Sequence, residues 1–247
     1  MKKAIIITIR VIAILVLVAS LTMLGIYLIG DLRDTRAANE IDRIKNNGKT
    51  YKDNPDILED FESLYAENKD VIGWLKIDGT SIDYVVMQAP DEVEKYIHTD
   101  FYGRPSYRGC LYVDEDCDVL RSDNIIIYGH HMKDGSMFGD LIDYTDESFY
   151  RSHKIIHFDT IYEKHTYEIV GAIKTSIPRE DEDCFRYYLY TGENDTESFE
   201  EYNRFIFKNK LYRTDAELQE GDKILTLSTC AYHTESGRFI VVARQIS

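Results

Sequence analysis

An uncharged run of 19 residues, from Val11 to Ile29, constrains this chain more than any other feature. An apolar run of that length is about what a helix needs to cross the core of a bilayer. Three basic residues, the last of them Arg10, precede the run, which favours a cytoplasmic N-terminus and an exported remainder. The sequence therefore predicts one membrane-spanning helix in residues 1–30, which places the rest of the protein outside the cell at the cell membrane.

A cleaved signal peptide is the alternative interpretation of the same run. Its apolar region would usually be shorter, and no convincing small-x-small cleavage site precedes Asp31. These two observations favour an uncleaved signal anchor. Since no second apolar run of this length follows, we expect the chain to cross the membrane once.

The remaining chain of about 215 residues is acidic, and the whole protein has a formal net charge of −15. Its length suffices for one sizeable domain core with a connector. The acidic balance argues against nucleic acid as a partner, because nucleic acid needs a basic face. Four cysteines in 247 residues do not form a disulfide framework, although an exported chain could bridge the one close pair, Cys110 and Cys117.

The pattern along the chain changes near residue 69. Residues 31–68 are polar and charged, and we predict a stalk that ends in an amphipathic helix packed on the domain. Residues 69–247 consist mostly of short β-rich runs bounded by turn residues. Two helices interrupt these runs, one around 137–150 and one around 196–209 with Thr196 as its N-cap. Such a chain is mainly β with accessory helices, and it predicts a closed or nearly closed β-barrel. The candidate strands are residues 71–77, 82–87, 110–113, 124–128, 154–159, 165–173, 186–190, 223–229 and 239–246.

Two apolar runs near the C-terminus predict a hairpin. The first ends in Thr226-Leu227-Ser228-Thr229-Cys230, and the second, Phe239 to Ala243, is preceded directly by Arg238. A hairpin joins its facing ends, so Cys230 and Arg238 should be close together at one rim of a sheet. A thiol beside a permanent cation favours the reactive thiolate form, whereas the alternative is an ordinary inert, buried cysteine.

A second strand delivers a histidine to a strand end. The run Asn124-Ile125-Ile126-Ile127-Tyr128 has the apolar character of a buried strand and leads through Gly129 into His130 and His131. Glycine allows a turn and a close approach by a partner. A surface loop that merely contains histidine is the alternative. The histidines show no metal-ligand spacing and the chain has no Cys-x-x-Cys pair, so we expect no metal.

Several short motifs in one order resemble the sortases, membrane-anchored cysteine transpeptidases of Gram-positive bacteria. They are Tyr128-Gly129-His130 at a strand end, Met137-Phe138-Gly139 at a helix start, the Thr-Leu-Ser-Thr-Cys strand end at Cys230, and Arg238 opening the last strand. The resemblance covers roughly residues 70–247. It is closest to class B, because a helix-bearing segment precedes the cysteine strand and helices precede the barrel. It implies a sortase-like closed β-barrel preceded by N-terminal helices and one transmembrane helix.

The resemblance implies that His130, Cys230 and Arg238 are the catalytic residues. The chemistry agrees, because a thiolate can attack a peptide bond, histidine can give and take the proton, and arginine offers fixed donors to an oxyanion. His130 is preferred to His131 because it directly follows Tyr128-Gly129. The neighbouring residues Tyr128, Ser228 and Thr229 are predicted to contact substrate. Ser228 shares a strand face with Cys230, although a strand-edge serine without a role is its alternative.

The function implied by the resemblance is protein sorting. We expect cleavage after threonine in an Asn/Ser-Pro-x-Thr-Gly/Asn signal of surface proteins, a thioester on Cys230, and transfer to an amine of a peptidoglycan peptide. No metal or organic cofactor is expected. Two alternatives stay open: a catalytically idle, membrane-anchored surface-binding protein, and a cysteine hydrolase in which water resolves the thioester.

Overall fold

The strands of this protein close into a barrel. The structure is a computed structural model that describes residues 2–47, 56–179, 181–182, 184–192, 198–231, 234 and 236–247. Within these residues, eight strands pair in the closed order β1-β2-β3-β4-β7-β8-β6-β5, which confirms the predicted barrel. The strands are β1 (Val71–Lys76), β2 (Asp83–Met87), β3 (Leu111–Val113), β4 (Asn124–Tyr128), β5 (Ile155–Thr160), β6 (Thr166–Ser176), β7 (Ile224–Cys230) and β8 (Gly237–Gln245).

The predicted strand at residues 186–190 is wrong. The structure has a 3₁₀ turn at Tyr187–Leu189. Tyr187 and Tyr190 are buried in an apolar cluster that also includes Tyr202 and Val170, outside the barrel. Because the barrel is closed, each strand already has two neighbours, and no free edge remains for this aromatic segment to pair with.

The predicted helices are present, with different bounds. The region around 137–150 contains a 3₁₀ turn at Asp140–Thr145 and then a short helix rather than one continuous helix. The second helix starts at Phe199 with a capping box between Ser198 and Glu201, so Ser198 is its N-cap; Thr196 lies outside the described residues. The helices are α1 (Lys2–Asn47), α2 (Glu59–Glu67), α3 (Glu147–Ser152) and α4 (Phe199–Asn209).

Helix α1 is continuous from the apolar run into the region predicted as a stalk. Its part from Ile6 to Asn46 is long and apolar enough to cross a membrane, and the apolar run is not buried against the barrel. Beyond that run, Ala37 and Ile41 are buried. Lys45 of α1 also lies over the ring of Trp74, with its Nζ 3.6 Å from the ring centroid. The C-terminal half of α1 is therefore docked on the domain.

The described part of the domain contains three apolar clusters, and these stabilise it. One fills the barrel, and it includes Phe158, Leu225 and Val241. A second lies between the N-terminal helices and β1 and β2, where Phe61 and Leu64 of α2 are buried. The third packs α4 on the outer faces of β6 and β8. Burying an apolar side chain of this size contributes about 1.5–3 kcal/mol, so these clusters hold the strand ends that carry the site in place.

Candidate active site

Parallel pairing brings two distant strand ends to the same rim of the barrel. Strands β4 and β7 are parallel neighbours, with Tyr128 opposite Ser228. His130 and Cys230 each follow that pair by two residues, so both emerge at the same edge. Strand β8 then runs antiparallel to β7, and Arg238 is the register partner of Cys230. The predicted hairpin and its Cys230–Arg238 juxtaposition are confirmed.

A cleft of about 290 Å³ opens at this rim. Every residue singled out from the sequence lines it: His130, Cys230 and Arg238, and also Tyr128, Ser228 and Thr229. The described residues contain no group of three or more His, Cys, Asp or Glu side chains that could hold a metal ion.

Tight packing fixes the direction in which the chain leaves β4. A Cβ at Gly129 would collide with the side chains of Leu111 and Phe138, so only glycine fits there. The next residue, His130, is half-buried, and its Nε2 lies 2.8 Å from the carbonyl oxygen of Ile97. A carbonyl only accepts, so Nε2 carries the proton and Nδ1 is the free acceptor of the neutral ring.

The surroundings of His130 favour its neutral form. Burial lowers the pKa of the imidazole, the Ile97 carbonyl opposes that effect, and the nearby His98 lowers it further. The His98 and His130 rings are 5.7 Å apart between centroids. At neutral pH the ring is therefore mostly in the form that accepts a proton.

The three predicted substrate contacts are held by the protein itself. Ser228 is 1% exposed and its hydroxyl lies 2.9 Å from the Tyr187 hydroxyl. Thr229 is 2% exposed and donates to the Gly129 carbonyl at 2.8 Å. Tyr128 is half-buried and donates to Asp114 at 2.8 Å. These bonds tie β7 to β4 and the cleft wall, so the side chains shape the cleft as well as line it.

The four cysteines occupy different environments. All are free thiols in the structure, so Cys110 and Cys117 are not bridged. Both are buried, burial raises the pKa of Cys110, and Cys117 donates to the Asn124 carbonyl at 3.4 Å. Cys184 is exposed and does not line the cleft. Cys230 is the half-buried thiol that stands at a strand end in register with Arg238.

Sequence reasoning missed several groups of the cleft. Each of these groups is at least 14 residues along the chain from the residue that it contacts: the Ile97 carbonyl and His98 contact His130, Asp114 contacts Tyr128, and Tyr187 contacts Ser228. A backbone carbonyl has no sequence signature, and Tyr187 fell in the segment wrongly predicted as a strand. A single polar residue in a long loop gave no signal that could have placed it here.

Comparison with known proteins agrees with this barrel and this rim. A sortase-domain family model matches residues 75–246. The chain belongs to the sortase family. Sortase B of Staphylococcus aureus is 36% identical over 192 residues, covering 75% of this chain and 74% of the relative. Sortase B of Listeria monocytogenes is 30% identical over 197 residues, covering 78% and 77%.

Solved sortase B structures superpose closely on the chain. Sortase B from Bacillus anthracis in complex with AAEK1 has a TM-score of 0.73 at 30% identity, covering 89% of this chain and 99% of that one. A Staphylococcus aureus sortase B–substrate complex has a TM-score of 0.72, also at 30% identity and with the same coverage. The protein is thus a class B sortase, a cysteine transpeptidase of the family that anchors proteins to the cell wall.

Proposed function

We propose that Cys230, His130 and Arg238 are the catalytic residues of this sortase. The observation that carries the proposal is their convergence: parallel and antiparallel register bring residues from three strand ends to one cleft. Each supplies a different chemical property, namely a nucleophile, a proton carrier and a fixed cation with several donors.

In the first half of the reaction, the Cys230 thiolate attacks the carbonyl carbon of threonine in the sorting signal. The guanidinium of Arg238 donates to the oxygen that becomes negative. The imidazolium form of His130, which is the minority form at neutral pH, gives its proton to the leaving amine, the C–N bond breaks, and the acyl group remains on Cys230 as a thioester.

In the second half, an incoming amine attacks the thioester carbonyl. Neutral His130 takes a proton from that amine, a new amide forms, and the Cys230 thiolate leaves. With Nε2 held by Ile97, Nδ1 is the nitrogen that exchanges this proton.

The sorting signal is of the Asn/Ser-Pro-x-Thr-Gly/Asn type, and the acceptor is an amine of a peptidoglycan peptide. Tyr128, the most exposed of the three predicted contacts, touches the bound signal, and the buried Ser228 and Thr229 form the cleft wall behind it. The 30% identity to a Staphylococcus aureus sortase B that was solved as a substrate complex supports a substrate class shared with that enzyme. The apolar part of α1, with basic residues before it, supports one crossing with the N-terminus in the cytoplasm and residues 69–247 outside as the catalytic domain.

The test is a sorting-peptide assay on the full chain in detergent micelles. A peptide with a fluorophore on the N-terminal side of the scissile bond is incubated with and without a peptidoglycan-type peptide amine. Transfer predicts a fluorescent amide product that requires the amine, whereas a hydrolase would give the free acid at the same rate in both. A peptide that is bound but never cut would identify the idle binding protein instead.

A further inference from the structure

A loop of the barrel touches the membrane-length part of α1. The ring of Tyr107, in the loop before β3, packs edge-on against Tyr27 with ring centroids 6.1 Å apart. Tyr107 is 69% exposed and Tyr27 is 54% exposed. Together with the exposed apolar side chains of α1, such as Met23 and Ile26, this pair forms a contiguous apolar patch, the kind of surface that marks a membrane or protein contact.

The depth of Tyr27 is set by the helix it belongs to. It lies two residues before Ile29, the last residue of the uncharged run, and those two residues rise by about 3 Å along a helix. If α1 crosses the bilayer, Tyr27 is therefore in the outer interfacial layer, where tyrosine is enriched. Because Tyr107 is in contact with Tyr27, the barrel loop must reach the same layer.

Polar contacts hold the loop at this height on α1. Arg33 donates to the Pro105 carbonyl at 2.7 Å, and the Ser106 hydroxyl donates to Asp34 at 2.9 Å. Arg108 pairs with Asp31. These bonds come from the first turns after the uncharged run, so the loop cannot rise from the bilayer surface without losing them.

The same junction adjoins the active site. A cavity between α1 and the loop is lined by Met23, Ile26, Tyr27, His98, Pro105 and Tyr107, among others. His98 is the residue whose ring lies 5.7 Å from the ring of His130. One side chain therefore separates the membrane-facing junction from the histidine of the cleft.

We propose that the loop carrying Tyr107 inserts into the headgroup and upper acyl layer of the outer leaflet, and so seats the catalytic cleft at the membrane surface. The lipid surface is the occupant, because the patch continues the apolar face of α1 at the point where that helix leaves the bilayer. A substrate or acceptor that is itself held in the membrane would meet the cleft at that height. The proposal rests on the membrane orientation given under Proposed function.

Depth-dependent quenching tests the proposal on the full chain. The protein is reconstituted in phosphatidylcholine and phosphatidylglycerol vesicles, with or without lipid brominated near the headgroup end of its acyl chain. Tyr107→Trp is the probe and Phe207→Trp, 70% exposed on α4, is the matched control. Leu17→Trp reports insertion of α1 itself. The only native tryptophan, Trp74, gives a small background because it packs on Lys45, about 24 Å beyond Ile29 along the helix.

We expect the fluorescence of the tryptophan introduced by Tyr107→Trp to be strongly quenched by brominated lipid and shifted to shorter wavelength in vesicles. The fluorescence of the tryptophan introduced by Phe207→Trp should be the same with and without brominated lipid. Quenching of Leu17→Trp without quenching of Tyr107→Trp would overturn the loop contact while leaving the anchor intact. Quenching of neither would overturn both the contact and the membrane orientation. Cleavage of a soluble sorting peptide is independent of all three outcomes, so the catalytic proposal is tested separately.

Discussion

The two halves of the cleft are held in different ways. Cys230 and Arg238 face each other on paired strands, where backbone hydrogen bonds and a buried core set their register. His130 lies beyond the end of β4, and its ring is held by the carbonyl of Ile97, which ends a 3₁₀ turn (Lys95–Ile97) in the connection between β2 and β3. The nucleophile and the cation therefore form a strand-held half, positioned by the barrel, whereas the proton carrier belongs to a loop-held half, positioned by the connections between strands.

The loop-held half, which contains His130, is connected to the membrane-length helix α1. Arg108, in the loop that follows Ile97, pairs with Asp31 of α1 and, at 3.0 Å, with Asp134 in the loop after His130. A change on α1 can therefore reach His130 without disturbing the strands. Substitutions in the two halves should consequently differ in which step they impair.

The largest effect is expected at the nucleophile. Cys230→Ala should abolish cleavage of a sorting peptide with the fold unchanged, because the other thiol that lines the cleft, Cys110, is buried and that burial raises its pKa. Cys110→Ala, Cys117→Ala and Cys184→Ala serve as controls and should each keep activity, measured as peptide cleavage alongside circular dichroism. An essential control cysteine together with a dispensable Cys230 would show that the nucleophile is misassigned.

Removal of the proton carrier should be nearly as damaging. His130→Ala should lower kcat/KM about 10²–10⁴-fold, the usual contribution of general acid–base catalysis. His131→Ala should have a mild effect, since His131 does not line the cleft. Steady-state cleavage assays of both variants give the comparison, and equal losses, or a loss in His131→Ala alone, would mean that His130 is the wrong ring.

Two substitutions of Arg238, in the strand-held half, distinguish the role of its positive charge from the role of its planar set of donors. Arg238→Lys keeps the charge and loses the planar fork, so we expect kcat/KM to fall about 10²–10³-fold, as for loss of an oxyanion donor. Arg238→Ala should lose at least as much. Near-wild-type turnover in the lysine variant would leave only an electrostatic role, and unchanged turnover in the alanine variant would remove Arg238 from the site.

A smaller effect is expected where the loop-held half meets α1. Arg108→Ala should lower kcat/KM by a few-fold, because it frees the loop after His130, while alkylation of Cys230 by iodoacetamide keeps its rate. Arg104→Ala, in the same loop, is the matched control, since Arg104 pairs with Asp100 and lies over the ring of Tyr102. A parallel loss of Cys230 alkylation in Arg108→Ala would indicate that the strand-held half had been disturbed as well.

The smallest expected effect is a change in the pKa of His130. Burial lowers the pKa of His130 and His98 lowers it further, so the imidazolium that protonates the leaving amine is lost as pH rises through that lowered pKa. His98→Gln removes the repelling charge, and the His130 pKa should move up. Ring-proton NMR titration measures the shift, with His165→Gln as a control that should not move it. A downward or absent shift in His98→Gln would contradict this electrostatic account.

The sequence predicted the strand-held half better than the loop-held half. Alternating apolar runs on either side of a short polar turn predict the β7–β8 hairpin, and register then brings Arg238 to Cys230. The pairing of β4 with β7 joins residues 100 apart, such as Gly129 and Thr229, and the order of motifs in the family was needed to anticipate it. The Ile97 carbonyl and the Arg108 bridge depend on loop conformation, which leaves no periodic signal. The aromatic residues of segment 186–190 favour a strand locally. They carry no information about the closure of the barrel, which leaves this segment no strand edge to pair with.

The acyl-enzyme is the most direct test of the central claim, that Cys230 becomes acylated by the sorting signal with His130 as the proton carrier. Full-length protein is mixed with a sorting peptide in the absence of amine, quenched in acid, digested and analysed by mass spectrometry. The account predicts a thioester-linked acyl fragment, ending in threonine, on the peptide that contains Cys230. An acyl fragment on any other residue, or peptide cleavage without a covalent intermediate, would contradict it.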